Sequence, residues 1–184
     1  KFKQINDFRG HQAGDLVLVE IARRMRALLP PEAVLARIGG DEFICALPFP
    51  SRSPELAEDL ASALIVTIGE PVKDDCLWLE ITASIGIATT SDLANDTLLD
   101  ADTLVHRADL AMYDAKKSGR NRHCRFELRM ETEMRLRSEL EAGIRSGISA
   151  GEFQPYYEQQ IELETGELAG FEMLARWHSP KHGL

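Results

Sequence analysis

The stretch Arg37-Ile38-Gly39-Gly40-Asp41-Glu42-Phe43 is the part of this chain that decides the fold. Two glycines that permit a tight turn are followed at once by two acidic residues. Short apolar runs at residues 34–38 and 43–47 flank it, which is the pattern of a β-hairpin with a glycine turn. Neighbouring side chains on a straight strand face opposite ways, but at a turn two carboxylates can converge on one cation. Carboxylates with phosphate oxygens are the ligands that magnesium prefers. A solvated Gly-Gly-Asp turn is the competing interpretation, since turns use these residues in any case.

The segments around this hairpin alternate between helical and extended patterns. Residues 15–29 carry apolar side chains at three- and four-residue steps, which predicts an amphipathic helix that Pro30-Pro31 ends. Residues 54–68 and 102–117 predict two more helices, and residues 79–87 alternate as a half-buried strand does. The order of helix, hairpin, helix, strand and helix predicts the α+β fold class.

Composition places the chain among ordinary globular proteins. Of its 184 residues 44% are apolar and 28% charged, and Lys+Arg 21 against Asp+Glu 30 gives a net charge of -9. A nucleic acid partner is disfavoured because such binding normally needs a basic stripe, whereas a few local cations and a metal can hold a small nucleotide. The three cysteines, Cys45, Cys76 and Cys124, show no C-x-x-C spacing, which argues against zinc and disulfides and favours a reducing cytoplasm. We expect no signal peptide and no membrane segment within these 184 residues, since no apolar stretch among them approaches roughly 20 residues, and any such segment would lie outside them.

A second candidate site precedes the first predicted helix, in the run from Asn6 to Asp15. Asn6 and Asp15 could read a guanine, because a carboxylate accepts hydrogen bonds from the ring N–H and the amino group of that base. Adenine presents a different pattern there, so Asp15 would select GTP over ATP. The alternative for Asp15 is a helix N-cap, and the alternative for His11 is a structural hydrogen bond.

Lys116 and Arg120 form the third candidate site. Their spacing predicts that they share one helix face near its C-terminal end, where two cations suit a triphosphate. The alternative is the ordinary attraction between basic residues and the negative end of a helix. Ser118-Gly119 is the expected C-cap of this helix.

The C-terminal third of the chain changes character. Residues 127–145 are dense in Glu and Arg, with apolar residues on one side, which predicts a solvated connecting helix. Gly147 and Gly151 then mark a new unit, with strands predicted at residues 156–163 and 168–177. We therefore expect three parts, at residues 1–126, 127–150 and 151–184.

Taken together, the motifs of residues 1 to about 126 resemble the GGDEF diguanylate cyclases. The segments that carry the resemblance are Phe2-Lys3-Gln4-Ile5-Asn6-Asp7, Gly10-His11, Gly14-Asp15, Gly39-Gly40-Asp41-Glu42-Phe43, Ala111-Met112-Tyr113, Lys116 and Gly119-Arg120-Asn121. The fold that this resemblance implies is a ferredoxin-like palm, similar to that of adenylyl cyclases and polymerases.

The resemblance also implies a role for each candidate residue. The residues that contact the guanine nucleoside are Asn6, His11 and Asp15. Those that make room for phosphate are Gly39 and Gly40, and those that neutralise its charge are Lys3, Lys116 and Arg120. Asp41 and Glu42 hold Mg²⁺ or Mn²⁺, and Asp41 is also the candidate base.

The implied reaction condenses two GTP molecules into cyclic di-GMP and two pyrophosphates. The 3′-hydroxyl of one GTP attacks the α-phosphorus of the other, and metal ions assist as in other two-metal nucleotidyl transfers. Since each site holds a single GTP, two such domains must face one another, so we expect a homodimer. We also expect an upstream sensor domain in a parent protein that is cytoplasmic or forms the cytoplasmic part of a membrane-anchored protein.

Two features depart from the family pattern. The family has an additional acidic metal ligand at the end of a strand just before the Phe-Lys pair, and this chain begins at Lys1, so we expect the chain alone to be a poor cyclase. The family's product-inhibition site would need Arg at Pro30 and Asp at Ala33, so we expect no feedback inhibition through that site.

The C-terminal unit resembles the start of an EAL phosphodiesterase, a (βα)8-type barrel. The resemblance is carried by Gly151-Glu152-Phe153, Tyr156-Tyr157, Thr165-Gly166, Gly170-Phe171-Glu172-Met173-Leu174-Ala175-Arg176-Trp177 and Pro180. It implies that Glu172 binds metal and that Arg176 contacts a substrate phosphate. Glu158-Gln159 stands where the family usually has Gln-Pro.

Two functions compete on this basis. The first is a diguanylate cyclase within a GGDEF–EAL signalling protein, and the intact Asp41 and Glu42 favour it. The second is a module that holds GTP without cyclising it and adjusts a downstream phosphodiesterase through the helix at residues 127–145. A purely structural α+β domain with acidic turns is a third interpretation.

Overall fold

The structure is a computed structural model, and it describes residues 2–49, 55–74, 77–90 and 100–184. The chain divides into two compact units, Lys1–Glu131 and Thr132–Leu184. Three positions named above lie outside the described residues: Lys1, Pro54, where the second predicted helix begins, and Cys76.

The elements alternate between helices and short strands. In chain order they are α1 (Phe2–Arg9), α2 (His11–Leu28), β1 (Val34–Gly39), β2 (Glu42–Ala46), α3 (Glu55–Gly69), β3 (Val72–Asp74), β4 (Leu77–Leu79), β5 (Ile85–Ile87), α4 (Ala101–Lys117), β6 (His123–Arg125), α5 (Leu128–Ser149), β7 (Phe153–Ile161) and β8 (Leu168–Trp177). Across the described ranges, the strands form four two-stranded sheets, β1-β2, β3-β4, β5-β6 and β7-β8. Of these four described pairs, only that of β5 and β6 is parallel. This mixture of helix and sheet agrees with the predicted α+β class, while the palm and the barrel stay predictions.

The N-terminal helical region begins earlier than the sequence predicted, and it contains two helices instead of one. α2 starts at His11 rather than at residue 15, and α1, which the sequence analysis did not predict, precedes it. Gly10 lies between them with a φ of 81°, a conformation in which glycine lets the chain turn from one helix into the next. The C-terminal limit was predicted, because α2 ends at Leu28, just before Pro30-Pro31.

The predicted hairpin is confirmed, whereas the predicted strand at residues 79–87 is divided. β4 ends at Leu79 and pairs with β3, while β5 starts at Ile85 and pairs with β6. Burial alternates from Leu79 to Thr82, whereas residues 83–86 are all half-buried. Alternation in the sequence therefore predicted burial over the first half of this stretch only, and it carried no information on which partner strand each half would find.

One hydrophobic core packs α2 against α3 and the neighbouring strands. Its buried members include Val17 and Met25 of α2 together with Leu64 and Ile68 of α3. Val17 is fully buried, with an exposed fraction of 0%. Burial of these side chains removes apolar surface from water and orders α2, the helix that carries two candidate site residues.

A buried arginine joins α2 to the end of α3. The guanidinium of Arg24 donates hydrogen bonds to four backbone carbonyl oxygens in the last turn of α3 and just after it. Carbonyl groups at the C-terminal end of a helix have no hydrogen-bond partner within the helix. These oxygens belong to Thr67, Ile68, Glu70 and Pro71. The carboxylate of Glu20 accepts from Arg23 at 2.7 Å and from Arg24 at 2.8 Å, and these two bonds lower the pKa of Glu20 to about 2. A buried charge with this many partners fixes the position of α3 on α2.

The strand β5 lies directly on α4 at Gly86. A Cβ at this position would collide with the carbonyl oxygen of Ala108 and the amide nitrogen of Met112, both of them backbone atoms of α4. Helix backbone cannot swing aside as a flexible side chain can, so the contact requires glycine. This close approach fixes α4, whose last turn carries Lys116.

The chain after α4 returns to pack on the same helix. Arg107 of α4 is buried, and its Nε donates to Oε1 of Glu131 at 2.9 Å. Its guanidinium also lies 5.0 Å from the centre of the Phe126 ring, within the range of a cation–π contact. A second, smaller core consists of Leu110, Ala111, Phe126 and Met130. The first residues of α5 are therefore anchored to α4.

The second unit has its own packing around Trp177. The rings of Phe153 and Trp177 stack with centroids 5.7 Å apart, and the indole Nε1 donates to Glu152 at 2.8 Å. A Cβ at Gly147 would lie 2.6 Å from that indole nitrogen. α5 therefore runs through Gly147 to Ser149, because the glycine makes room for the indole. The predicted bounds of β8 are confirmed, and β7 begins at Phe153, three residues before its predicted start.

Two further features bear on the sequence-based expectations. Cys45 and Cys124 are free thiols, and burial raises the pKa of each. Among the helices that the structure describes, none has the length and apolarity that crossing a membrane requires.

The contact at Gly86 yields a test of the packing. We expect Gly86→Ala to lower the free energy of unfolding by about 3 kcal/mol, because the added methyl group meets helix backbone that can yield only if α4 shifts. Urea denaturation followed by circular dichroism measures the change. Gly69→Ala is the matched control, since a Cβ there would meet its nearest neighbour, the Ile81 carbonyl oxygen, at 3.9 Å. Equal stability of the two variants would show that β5 does not pack on α4 in this way.

Candidate functional site

The acidic pair lies at the tip of the β1–β2 hairpin. Gly39 pairs with Glu42, so the connecting loop has only two residues, Gly40 and Asp41. Gly40 has a φ of 46°, and a glycine with positive φ in the first position is what one favoured type of two-residue hairpin loop requires. The side chains of Asp41 and Glu42 are both exposed. The tip therefore presents two adjacent carboxylates to solvent.

Open space surrounds the two glycines of the tip. A Cβ built at Gly39 or at Gly40 would meet no atom within 4 Å. In the described part of the chain, no group of three or more His, Cys, Asp or Glu side chains could hold a metal ion. Two carboxylates with free space beside them nevertheless fit Mg²⁺, which proteins usually bind through one or two carboxylates while substrate phosphates and water complete the coordination.

Asn6 of α1 lies against Gly14 of α2. A Cβ at Gly14 would collide with Oδ1 of Asn6 and come within 3.2 Å of the Phe2 ring, so α1 can approach α2 this closely only at a glycine. The Oδ1 atom is buried and has no hydrogen-bond partner among the residues described. A buried oxygen without a donor costs about 1–3 kcal/mol, so a donor on a ligand would be favoured here.

The other candidate residues of this region are exposed. Lys3 lies on α1, three residues before Asn6, which places both on one side of that helix. His11 and Asp15 are four residues apart on α2 and share an exposed face. The N-cap alternative for Asp15 is wrong, because the N-cap of α2 is Gly10 and Asp15 is the fifth residue of the helix. The cap was predicted in the wrong place because α2 begins about one turn before the first residue of its apolar pattern.

The expected pair of cations on α4 takes a different form. Lys116 lies in the last turn of α4, but the helix ends at Lys117, so the prediction that Arg120 shares its face was wrong. The amide of Arg120 donates instead to the carbonyl oxygen of Ala115 at 3.0 Å, and Gly119 has a φ of 114°. This is the closure of a helix by a glycine just beyond its C-cap, Ser118, as the sequence predicted. Arg120 therefore lies in the turn that follows α4, and its own φ is 59°.

The structure brings some candidate residues into contact and leaves others apart. Asn6 touches Gly14, and the tip residues are adjacent to one another. No hydrogen bond or ion pair within residues 2–49, 55–74, 77–90 and 100–184 joins Asp41 or Glu42 to Lys116 or Arg120. All of these residues belong to the unit Lys1–Glu131. That they line one pocket stays a prediction.

Glu172 and Arg176 belong to the second unit, on β8. They are four residues apart on a strand and so point to the same face. Glu158 lies directly opposite Glu172 in the strand register, and the guanidinium of Arg176 lies 5.7 Å from the centre of the Tyr156 ring. The structure thus places Glu172 and Arg176 on one face of this hairpin, and the metal and phosphate roles of the two residues stay predictions.

One residue of the tip was missed by the sequence analysis. Nε of Arg37 donates to the carbonyl oxygen of Gly40 at 2.9 Å. The sequence placed Arg37 beside the glycines, but only the geometry shows that its side chain reaches over the loop.

The chain is similar in sequence to known proteins. Residues 1–122 match the family described as "Diguanylate cyclase, GGDEF domain". The chain is 37% identical over 186 residues to the bifunctional diguanylate cyclase/cyclic di-GMP phosphodiesterase MucR of Pseudomonas aeruginosa, a match of all of this chain with 26% of that protein. It is 31% identical over 183 residues to the cyclic di-GMP phosphodiesterase PdeR of Escherichia coli, of which it covers 27%. The chain thus spans about a quarter of the length of these relatives.

Solved structures resemble the chain over about two thirds of its length. The GGDEF domain of YfiN (TpbB) from Pseudomonas aeruginosa has a TM-score of 0.61 and 37% identity, and the match covers 70% of this chain and 77% of that one. The GGDEF domain of DgcB from Caulobacter crescentus, in complex with c-di-GMP, has a TM-score of 0.58 and 28% identity over 67% of this chain and 71% of that one.

Proposed function

The chain belongs to the family of GGDEF diguanylate cyclase domains, and from this premise we propose that its parent protein condenses two GTP molecules into cyclic di-GMP and two pyrophosphates. The observation that carries the proposal is the hairpin tip, where a two-residue loop presents Asp41 and Glu42 beside two glycines with open space around them. A solvated turn would need polar residues there, but it would not need two carboxylates in succession.

The guanine base binds, in this proposal, along α1 and α2. The carboxylate of Asp15 accepts hydrogen bonds from the ring N–H and the amino group of guanine. Asn6 is held in place by its contact with Gly14, and its buried oxygen still lacks a donor. His11 lies one turn before Asp15 on the same helix face and contacts the nucleoside.

The triphosphate extends from the base towards the tip. Lys3, Lys116 and Arg120 neutralise its charge, and the missing side chains of Gly39 and Gly40 let it approach the backbone of the loop. Asp41 and Glu42 are the residues that hold Mg²⁺ or Mn²⁺. When bound, the metal lowers the pKa of the attacking hydroxyl and stabilises the charge that develops on the phosphorus.

The reaction itself is a displacement at the α-phosphorus. The 3′-oxygen of one GTP forms a bond to the α-phosphorus of the second, and the bond from that phosphorus to the pyrophosphate oxygen breaks. The proton of the hydroxyl passes to the carboxylate of Asp41. The exchange occurs twice between the same two nucleotides, so two copies of the domain face each other in a homodimer.

We assign residues 151–184 to the beginning of an EAL phosphodiesterase domain. The support comes from two observations. The match to the bifunctional protein MucR extends over all of this chain, beyond the residues 1–122 that the GGDEF family covers. Strand β7 is exposed along nearly its whole length, including Tyr156 and Tyr157 on opposite faces, so this hairpin is suited to receive further layers on both sides. Glu172 then binds a metal and Arg176 a phosphate of cyclic di-GMP.

A second candidate is a module that binds GTP and regulates the phosphodiesterase without cyclising it. The similarity to PdeR, whose name describes a phosphodiesterase alone, favours this alternative. The anchoring of α5 to α4 through Arg107 and Glu131 also favours it, because α4 carries Lys116 and α5 leads into the second unit. A nucleotide that shifts the end of α4 would in this way act on α5.

Turnover decides between the two candidates. The full-length protein, supplied with GTP and Mg²⁺, is expected to form cyclic di-GMP, which chromatography detects. Asp41→Asn is expected to lower the rate by at least about 100-fold, because it removes both the base and a metal ligand. Binding of GTP, measured by calorimetry, should change far less than the rate.

Asp59→Asn is the matched control for this experiment, since Asp59 is an exposed carboxylate on α3 with no assigned role. Tight binding of GTP without any product, together with phosphodiesterase activity that rises with GTP, would establish the regulatory alternative. Unchanged turnover in Asp41→Asn would remove the hairpin tip from the reaction.

Base selection provides a separate prediction. We expect Asp15→Ala to weaken GTP binding by about 10- to 100-fold, as is typical of losing hydrogen bonds to a charged group. The affinity for ATP should stay the same, so the ratio of the affinity for GTP to that for ATP falls. Calorimetric titration of both nucleotides measures the ratio, with the exposed neighbour Gln12→Ala as control. A GTP preference that survives in Asp15→Ala would contradict the guanine role.

A further inference from the structure

The backbone of β1 is irregular immediately before the tip. Arg37 pairs with Phe43 and Gly39 pairs with Glu42, so two steps along β1 correspond to one step along β2. Ile38 is therefore an extra residue, which makes this position a β-bulge. Bulges bend a strand and re-aim the neighbouring side chains, and they are frequent beside active sites.

The side chain of Arg37 extends from this bulge over the loop. Its Nε donates to the carbonyl oxygen of Gly40 at 2.9 Å. Gly40 and Asp41 are the two central residues of the loop, so this carbonyl belongs to the peptide group between them. That central peptide is the group that turns over when a two-residue loop changes from one turn type to the other.

The orientation of this peptide determines where Asp41 points. Gly40 has a positive φ, whereas Asp41 is absent from the residues with positive φ in the described chain. That combination is the type II′ pattern, and turning the peptide over would give the type I′ pattern, in which the second residue also needs a positive φ. Such a change would swing the side chain of Asp41 away from its present direction relative to Glu42.

We propose that Arg37 is a positioning residue, which holds the Gly40–Asp41 peptide in one orientation so that Asp41 and Glu42 act as a single pair of ligands. The proposal rests on the proposed function, because it concerns the same two carboxylates. Arg37 acts through the backbone of the loop and not by contact with the nucleotide.

The exposure of Arg37 makes this role separable from folding. Water competes for an exposed hydrogen bond, so the bond contributes little to global stability. The hydrogen bond nevertheless favours one of the two orientations of the Gly40–Asp41 peptide, because water would solvate both orientations about equally well. A residue of this kind changes catalysis while leaving the melting temperature nearly unchanged.

The test compares Arg37→Met with the wild-type protein. Methionine has a similar length but cannot donate a hydrogen bond. We expect kcat to fall by about 10- to 100-fold, the usual effect of losing a group that orients a metal ligand. The KM for GTP should change by less than about 3-fold and the melting temperature should stay within about 2 °C, as expected when neither substrate binding nor packing is altered.

A second readout does not depend on activity. NMR relaxation dispersion on the 184-residue chain should show exchange at the amides of Gly40 and Asp41 in Arg37→Met and not in the wild type. Arg37→Lys should restore part of the rate, since an ammonium group can also donate. Arg23→Met is the control, because Arg23 is an exposed arginine whose carboxylate partner is Glu20, far from the tip in sequence.

The outcomes separate this inference from the proposed function. A wild-type protein that makes no cyclic di-GMP overturns the proposed function, and the amide exchange at Gly40 and Asp41 still decides the role of Arg37. Amides that behave alike in both proteins, or a variant in which KM rises and kcat does not fall, would overturn the positioning role.

Discussion

Close approach at two glycines is the constraint on which this structure depends. Gly14 lets α1 lie on α2, and Gly86 lets β5 lie on the backbone of α4. The first contact holds Asn6 and the second holds α4, whose last turn carries Lys116, so packing of the fold also sets the positions of the candidate binding residues. Any side chain at these two places would have to displace a polar side chain or a helix backbone. Fixed positions of this kind are what a site needs in order to hold a nucleotide in a reactive arrangement.

The hairpin tip shows the opposite physical situation. Gly39 and Gly40 have open space around them, and the charged residues Asp41 and Glu42 are exposed. The loop at the tip is thus acidic and open to solvent, whereas the two glycine contacts are closed. The hydrogen bond from Arg37 limits the freedom of this loop without burying it. A two-residue loop keeps its two carboxylates adjacent while it leaves them open to solvent.

Much of the fold could be predicted from the sequence, because helices and hairpins depend on local patterns. The hairpin, the main helices and the bounds of β8 follow from periodicity and from turn residues. Features that depend on distant residues could not be predicted in this way, such as the parallel pairing of β5 with β6 and the bonds of Arg24 to the end of α3. For the site, the motifs identified the residue types, but the placement of Arg120 beyond the helix and of Asp15 within one depended on exact helix ends. Helix ends are set by capping and packing, which periodicity does not record.

The most direct measurement is a crystal structure of the full-length protein with Mg²⁺ and a GTP analogue that cannot lose pyrophosphate. The account predicts one nucleotide per chain, with its guanine at Asn6 and Asp15 and its phosphates between the hairpin tip and the pair Lys116 and Arg120. The metal should lie on Asp41 and Glu42. A nucleotide whose phosphates lie away from the tip, or a metal bound without either carboxylate, would contradict the account.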